Sequence, residues 1–441
     1  MMKASRFIGV ISLNALLLAG CATYSPLPLA GKLHLASRLP SGVNTTNPLT
    51  ITDITRLTLL LNPDLQAARN YHDIGQAQIV QASVLPNPQS SASYGFLLSG
   101  PANFDSYGLG LSEDIKALIV RGATRESAEY EALKVDADLL WQEWQTVSKA
   151  QLDYVDLVEM QKQHKLLEQN HQLFADRYAK SHAAMLRGDV DLTVTAPDLT
   201  ALTDAEKQLA DFDRQMKSKW QELDALLGLE PSVRFPLSND ITLAPIDTAK
   251  IRDALPHLAE KRPDLLALQY GYQAQEQKLR GAILGQFPAL VFGGTYGPDT
   301  SHVFSGGPTV SLDLPIFNRN QGNIAIETAT RQKLHDEYTN RLDAADGEVE
   351  AMLASHDLLK KQYDDIHRNS GATHAIGIHA DNAFRAGNID ERAYIDLKSA
   401  QLSQEQQALT LEQSLLEQQV ALATLLGIGM PSIKLADTSG E

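Results

Sequence analysis

Apolar positions along this chain recur every seven residues over long stretches. Leu133, Leu140, Val147 and Tyr154 lie seven apart, as do Leu202, Leu209, Met216 and Leu223, and again Leu402, Leu409, Leu416 and Ala423. A strict seven-residue repeat keeps one helix seam facing a neighbour under left-handed supercoiling. The pattern therefore predicts long, packed helices. Ala123 to Arg187 is a run of 65 residues without Gly or Pro. As one helix it would reach roughly 97 Å at about 1.5 Å per residue. No proline falls between Pro315 and Pro431, although Gly347, Gly371 and Gly377 are expected to soften the second long helix. Periodicity alone leaves an ordinary coiled coil open.

Two segments switch to a period of two. Ala92, Tyr94 and Phe96 alternate with Ser91, Ser93 and Gly95. Beyond a Ser99-Gly100-Pro101 turn signal, Tyr107, Leu109 and Leu111 alternate with Ser106, Gly108, Gly110 and Ser112. Later, Leu290, Phe292 and Tyr296 share a face, and Val310, Leu312 and Leu314 alternate with Thr309, Ser311 and Asp313. Alternation of this kind predicts half-buried strands. Strands of about ten residues with aromatics on the apolar face suit an outer-membrane barrel; a water-soluble hairpin lying on a helix bundle is the alternative. Four strands cannot close a barrel in lipid, where open edges are not tolerated. In the barrel reading the chain shares its barrel with copies of itself.

The chain is also written twice. Asn62-Pro63-Asp64-Leu65 recurs as Arg262-Pro263-Asp264-Leu265, Pro88 as Pro288, and Gly122 as Gly322. Gly188-Asp189-Val190-Asp191 recurs as Gly387-Asn388-Ile389-Asp390, and Leu226-Leu227-Gly228 as Leu425-Leu426-Gly427. Matches in order at a nearly constant offset indicate a duplication. The predicted layout places a first repeat over residues 48–230, with a strand hairpin at about 88–115 and a helix turn at about 186–190. A linker follows over 231–247. The second repeat covers 248–428, with a hairpin at about 289–315 and a turn at about 385–389, before a tail over 429–441. Helical stretches near Thr52–Leu85 and Ile251–Phe287 open the two copies. The fold class is mainly α with a small β part.

Composition narrows the function. The 441 residues carry a formal net charge of -16, which opposes binding to nucleic acid, because a phosphate-binding surface needs excess Lys and Arg. A single cysteine excludes an intramolecular disulfide and a Cys-based zinc site. That cysteine is Cys21. It follows a basic start (Lys3, Arg6), an apolar run from Ile8 to Leu18 that is too short to span a bilayer, and Leu18-Ala19-Gly20. The arrangement looks like a bacterial lipobox. Residues 1–20 then form the signal, residues 21–47 an extended acylated segment, and Cys21 carries the lipid. An ordinary cleaved signal with an incidental cysteine is the alternative. Removing residues 1–20 takes away two bases and no acid, moving the charge to -18. Ala22 after the cysteine resembles outer-membrane sorting. No later stretch is apolar enough for a transmembrane helix.

The duplicated plan, the Asn62-Pro63-Asp64-Leu65-Gln66-Ala67-Ala68 start, the segment from Leu314 to Gly322 and the Leu-Leu-Gly ends resemble TolC-type outer-membrane efflux proteins, including the lipoprotein outer-membrane factors of the CusC, CzcC and OprM kind. The resemblance runs from about residue 48 to 428. It implies a homotrimer with a shared 12-strand transmembrane β-barrel, continued by a 12-helix α-barrel tunnel into the periplasm. An equatorial region would be built from about Pro231–Ala249 and the tail after Gly429. The implied function is a passive exit duct of a tripartite efflux system, opened by a periplasmic adaptor and driven by an inner-membrane transporter. A type I secretion duct, or a structural or adaptor-like periplasmic coiled-coil lipoprotein, is the alternative. No enzymatic motif is present, and no cofactor is expected beyond the lipid on Cys21.

The resemblance also implies site residues. The adaptor would meet the two helix tips, at Arg187, Gly188, Asp189 and Val190, and at Arg385, Gly387, Asn388 and Ile389. Asp396 matches a family acid near the constriction, with Asp390 and Glu391 closer to the tip; each would form a cation-attracting ring in a trimer. Thr193 matches a polar position that links helices in the closed state. Phe384 stands where some members carry Tyr, and Val194 where some carry an acid. Pro197 is expected to kink its helix just above the tip. His367, His374 and His379 cluster before the second tip but do not make a metal site. The Asn318-Arg319-Asn320-Gln321-Gly322 stretch resembles members serving heavy-metal pumps, without naming a cargo.

Overall fold

The computed structural model describes residues 24–32, 35–40, 47–101, 104–243 and 245–431. Cys21, the signal and the tail beyond 431 lie outside these residues. The described residues before Ser37 belong to a separate unit in which Tyr24, Leu27 and Leu29 are exposed.

In the unit from Ser37 onward, α1 (Ile51–Leu61) and α2 (Pro63–Ser83) open the first repeat. The hairpin of β1 (Gln89–Gly95) and β2 (Ser106–Asp114) follows, then α3 (Ile115–Arg187) and α4 (Leu192–Leu226). The second repeat has α5 (Thr248–Ala254), a 3-10 turn (Leu255–His257), α6 (Leu258–Lys261) and α7 (Pro263–Leu284). It continues through β3 (Leu290–Pro298), β4 (Phe304–Leu312), α8 (Gln321–Arg385) and α9 (Glu391–Leu426).

Several expectations need correction. The opening stretches are each broken before a proline. Asn62 and Arg262 take extended ψ values of 121° and 122°, because the following Pro ring disfavours the helical region for the residue before it. The first long helix begins at Ile115 and runs 73 residues, straight through Gly122. The second runs 65 residues as one helix through Gly347, Gly371 and Gly377. Glycine weakens a helix interior by only about 1 kcal/mol, and packing overrides that. At Gly377 a Cβ would lie 1.8 Å from the Gln401 side chain, so glycine lets α8 and α9 approach closely. Pro197 lies inside α4.

The strands form one antiparallel sheet in the order β1-β2-β3-β4. Registers Ala92↔Leu109, Leu109↔Tyr296 and Phe292↔Val310 put the apolar positions of all four strands on one face. That face is bare: Tyr94, Leu109, Leu111, Phe292, Tyr296 and Val310 are all exposed. The β2–β3 pairing joins the two repeats, while β1 and β4 each keep one edge without a described partner strand.

The helices bury two cores, each drawn mainly from one repeat. The larger gathers Ile51, Ile54 and Leu57 of α1, Tyr154, Leu157 and Val158 of α3, Trp220 and Leu223 of α4, and Phe235 and Leu237 of the linker. Leu49 pairs with the linker through Leu49 N→Pro236 O (2.8 Å) and Ser238 N→Leu49 O (2.8 Å). The Tyr154 hydroxyl donates to Ser238 O at 2.8 Å, fastening this belt to α3. The smaller core holds Ile251, Leu265, Val349, Leu353 and Leu422. Two of the heptad seams end in the larger core, at Tyr154 and Leu223. Among the described residues no helix is long and apolar enough to cross a membrane.

Candidate tip gate

Both helix turns are built alike. Gly188 has φ 82°, and Asp189 N donates to Ala184 O at 2.9 Å. Gly387 has φ 72°, and Asn388 N donates to Ala383 O at 2.9 Å. This is the helix-ending motif in which a left-handed glycine lets the next amide satisfy a free carbonyl. Each following helix is then capped by an aspartate. Asp191 Oδ1 accepts from Thr193 N (2.9 Å), and Asp390 Oδ1 from Ala393 N (2.8 Å). The Thr193 side chain and then its backbone hydrogen-bond the Asp191 carboxylate and hold it below the usual range. Arg187 pairs with Asp189 across the first turn at 2.9 Å. Arg385 closes the last turn of α8, and Val190 and Ile389 are half-buried beside their glycines.

The candidate gate acids all have partners within the chain. Asp396 projects from α9 with its side chain 64% exposed and accepts from Arg177 Nη1 at 2.8 Å. Glu391 pairs with Lys180 of α3. Asp390 and Thr193 are held in the caps just described.

Sequence reading missed the group that organises the tip. Asp198 is 2% exposed and accepts from Arg177 Nε (2.8 Å) and Arg392 Nη2 (2.7 Å). Arg392 also reaches Val194 O at 3.2 Å. One buried carboxylate thus binds α3, α4 and α9 through two charge-assisted hydrogen bonds, and Arg177 carries the link to Asp396. One signal was available: Arg177 and Asp198 stand nearly symmetrically about Gly188, as partners on an antiparallel helix pair must.

Phe384 lacks the hydroxyl expected at its position. Its ring stacks on Tyr394 with centroids 4.6 Å apart, and Tyr394 Oη donates to Asp381 at 2.9 Å. Tyr394, on the adjoining helix, carries the hydroxyl at this contact. Burial, then the Asp381 bond, raises the Tyr394 pKa. His367 stacks on Tyr363 at 5.5 Å. Among the described residues no group of three or more His, Cys, Asp or Glu has metal-holding geometry.

The chain thus consists of two helix-hairpin repeats joined through one four-stranded sheet with a bare apolar face. A family model, outer membrane efflux protein, matches residues 55–229 and again 254–428. The chain belongs to that family, and the two matches coincide with the duplication. It is 29% identical to the outer membrane protein OprJ of Pseudomonas aeruginosa over 179 residues, covering 37% of this chain and 36% of OprJ. It is 22% identical to the probable outer membrane lipoprotein SilC of Salmonella typhimurium, covering 38% of this chain and 39% of SilC. These alignments span little more than a third of each relative. The whole architecture resembles the CmeC outer membrane channel of Campylobacter jejuni, with TM-score 0.72 and 16% identity over 92% of this chain and 94% of that one.

Proposed function

We propose that this protein is an outer-membrane exit duct for an efflux system. Three copies close a 12-strand barrel in the membrane and a 12-helix tunnel below it. The observation that carries this reading is the sheet: it bares an apolar face, and its two outer strands each keep an open edge. In lipid such edges must be paired by further copies. The duplicated helices support a tunnel wall, since each repeat supplies one long and one shorter helix joined by a tight turn. The lipid on Cys21 anchors the chain, as the lipobox-like start suggests. No cofactor and no chemical step are needed; the duct is passive.

At the far end, the turns at Arg187–Val190 and Arg385–Ile389 meet a periplasmic adaptor, and an inner-membrane transporter supplies energy. Asp396 rings the closed end threefold and attracts cations, with Asp390, Glu391 and Thr193 nearer the tip. Opening requires Asp396 to part from Arg177, or the two to move together. The test is purification from outer membranes followed by planar-bilayer recording. A heat-resistant trimer with cation-selective steps, weakened by Asp396→Asn, is the expected result. A monomer released by salt without detergent would sink the proposal.

A further inference from the structure

The segment between β4 and α8, Leu314 to Asn320, carries part of the family resemblance, yet neither the tunnel nor the tips use it. It is an ordered loop. Gln321 Oε1 accepts from Arg319 N (2.7 Å), Asn318 Oδ1 accepts from Asn320 N (3.0 Å), and Gln321 Nε2 donates to Phe317 O (3.2 Å). Asn320 Nδ2 fastens the loop to Ala282 O in the last turns of α7 at 2.7 Å, with Asn320 itself at φ 61°. Ordering backbone costs about 1–2 kcal/mol per residue. Here that cost brings no burial within the chain: Phe317 is 92% exposed, Ile316 65% and Leu314 62%. Nor is the loop needed to pass from strand to helix. In the first repeat β2 ends at Asp114 and α3 begins at Ile115.

What covers these side chains follows from the sheet. Strand parity sets Leu314 on the same face as Val310 and Leu312, and the ladder extends to Asp313 N→Ala289 O (3.0 Å). Nine-residue strands such as β3 and β4 span about 30 Å at ~3.4 Å per residue, or about 21 to 25 Å of depth at tilts of ~45° to ~35°, with nothing to spare over the ~25 Å apolar band of a membrane barrel. Leu314, Ile316 and Phe317 continue the exposed apolar surface beyond the end of β4. Such barrels also carry an aromatic girdle at each interface. At the hairpin end, Phe104, His302, Phe304 and Tyr296 form one, with neighbouring centroids 4.9, 5.3 and 5.8 Å apart. At the helix end the exposed aromatics are Phe317 and Phe287, followed directly by polar Asn318 and cationic Arg319.

We infer that the Leu314–Phe317 loop is a lipid-seated collar. Ile316 and Phe317 enter the acyl region of the inner leaflet of the outer membrane, and Arg319 lies at the level of the lipid phosphates. The inference rests on the sheet being a membrane barrel. The test uses the full chain, assembled in vesicles of phosphatidylethanolamine with brominated acyl chains. Phe317→Trp and, as a reference on the sheet face, Val310→Trp are read after subtracting the emission of Trp141, Trp144 and Trp220. The expected result is quenching of Trp at 317 by bromolipid by nearly the same factor as at 310, with little quenching by aqueous iodide. Bromolipid quenching at 310 combined with iodide quenching at 317 overturns the collar alone. Shielding of 317 from both quenchers also overturns it, and assigns the loop to a neighbouring copy. Failure of bromolipid to quench at either position overturns the barrel reading itself.

Discussion

The two repeats share their scaffold and differ in their charges. Gly188 and Gly387 end the long helices with the same hydrogen bonds, and Asp191 and Asp390 cap the helices that follow. The network above the tips exists only once. At the offset that matches the tips, Arg177, Asp198, Arg392 and Asp396 correspond to Ile376, Leu397, Thr193 and Pro197. The helix-start positions diverge as well. Asn62 accepts from Leu65 N (2.8 Å) and donates to Leu226 O (2.9 Å), so it caps α2 and ties it to the end of α4. Arg262 cannot cap. Its guanidinium is fully buried, grips Asp264 at 3.0 and 2.8 Å and lies over Trp141 at 5.2 Å. Duplication thus preserved what backbone geometry requires and released the side chains that set how neighbouring helices attach.

The largest effect should come from the helix starts. Arg262→Ala removes a buried cation and leaves Asp264 to Arg341 alone, at a cost of about 3 kcal/mol, whereas Asn62→Ala loses a cap worth about 1 kcal/mol. Denaturant unfolding of both variants checks this; equal losses would erase the distinction between the repeats. At the tips, Asp198→Leu installs the residue of the second repeat and leaves Arg177 and Arg392 without their shared partner. A cost of about 2 kcal/mol is expected, seen as faster hydrogen exchange at the ends of α3 and α4. Leu397→Asn, at a half-exposed site, should change stability by less than about 0.5 kcal/mol.

Acidity should separate the repeats next. In the first, burial pushes Asp153 up to about 6 against the opposing pull of Lys219, with Glu222 and Asp156 adding to the rise. Where α9 of the second repeat packs on the first, burial and Asp156 push Glu417 up to about 7. Carboxyls raised in the fold bind more protons there than when unfolded. Their stabilisation is present at low pH and is lost as pH rises through about 6 to 7. At the helix start of the second repeat, burial of Asp264 is overcome by Arg262 and Arg341, which hold it below the ordinary range. Its contribution is lost only as pH falls below about 4. Thermal melts should therefore gain on the order of 1 kcal/mol between pH 8 and pH 5, and Asp153→Asn with Glu417→Gln should flatten that slope. A flat wild-type profile would reject the assignment. The smallest expected difference lies at the turn glycines. Gly188→Ala and Gly387→Ala should each cost about 1 kcal/mol, because both hold positive φ and neither would meet a neighbour. A marked inequality would show that one tip packs against something the other does not.

The helices, hairpins, duplication and tip glycines were legible in the chain because each is written in local spacing. A heptad, an alternation or a Gly-Asp pair is a property of consecutive residues, and backbone geometry reads it directly. The breaks before Pro63 and Pro263 were equally local and were passed over. The burial of Arg262, the arrival of Arg392 at Asp198 and the link from Arg177 to Asp396 were not legible. Each depends on which faces of separate helices meet, and nothing near Asp198 in the chain announces two guanidiniums arriving from α3 and α9. The acids Asp390 and Asp396 look alike in sequence, yet one caps a helix and the other answers an arginine across the bundle. Sequence alone determined the elements and their repetition, because hydrogen bonding and hydrophobic period act over a few residues. Tertiary structure alone decided the pairing of charges, the burial of Arg262 and the exposure of Phe317, because burial and Coulomb interaction depend on distances that only packing fixes.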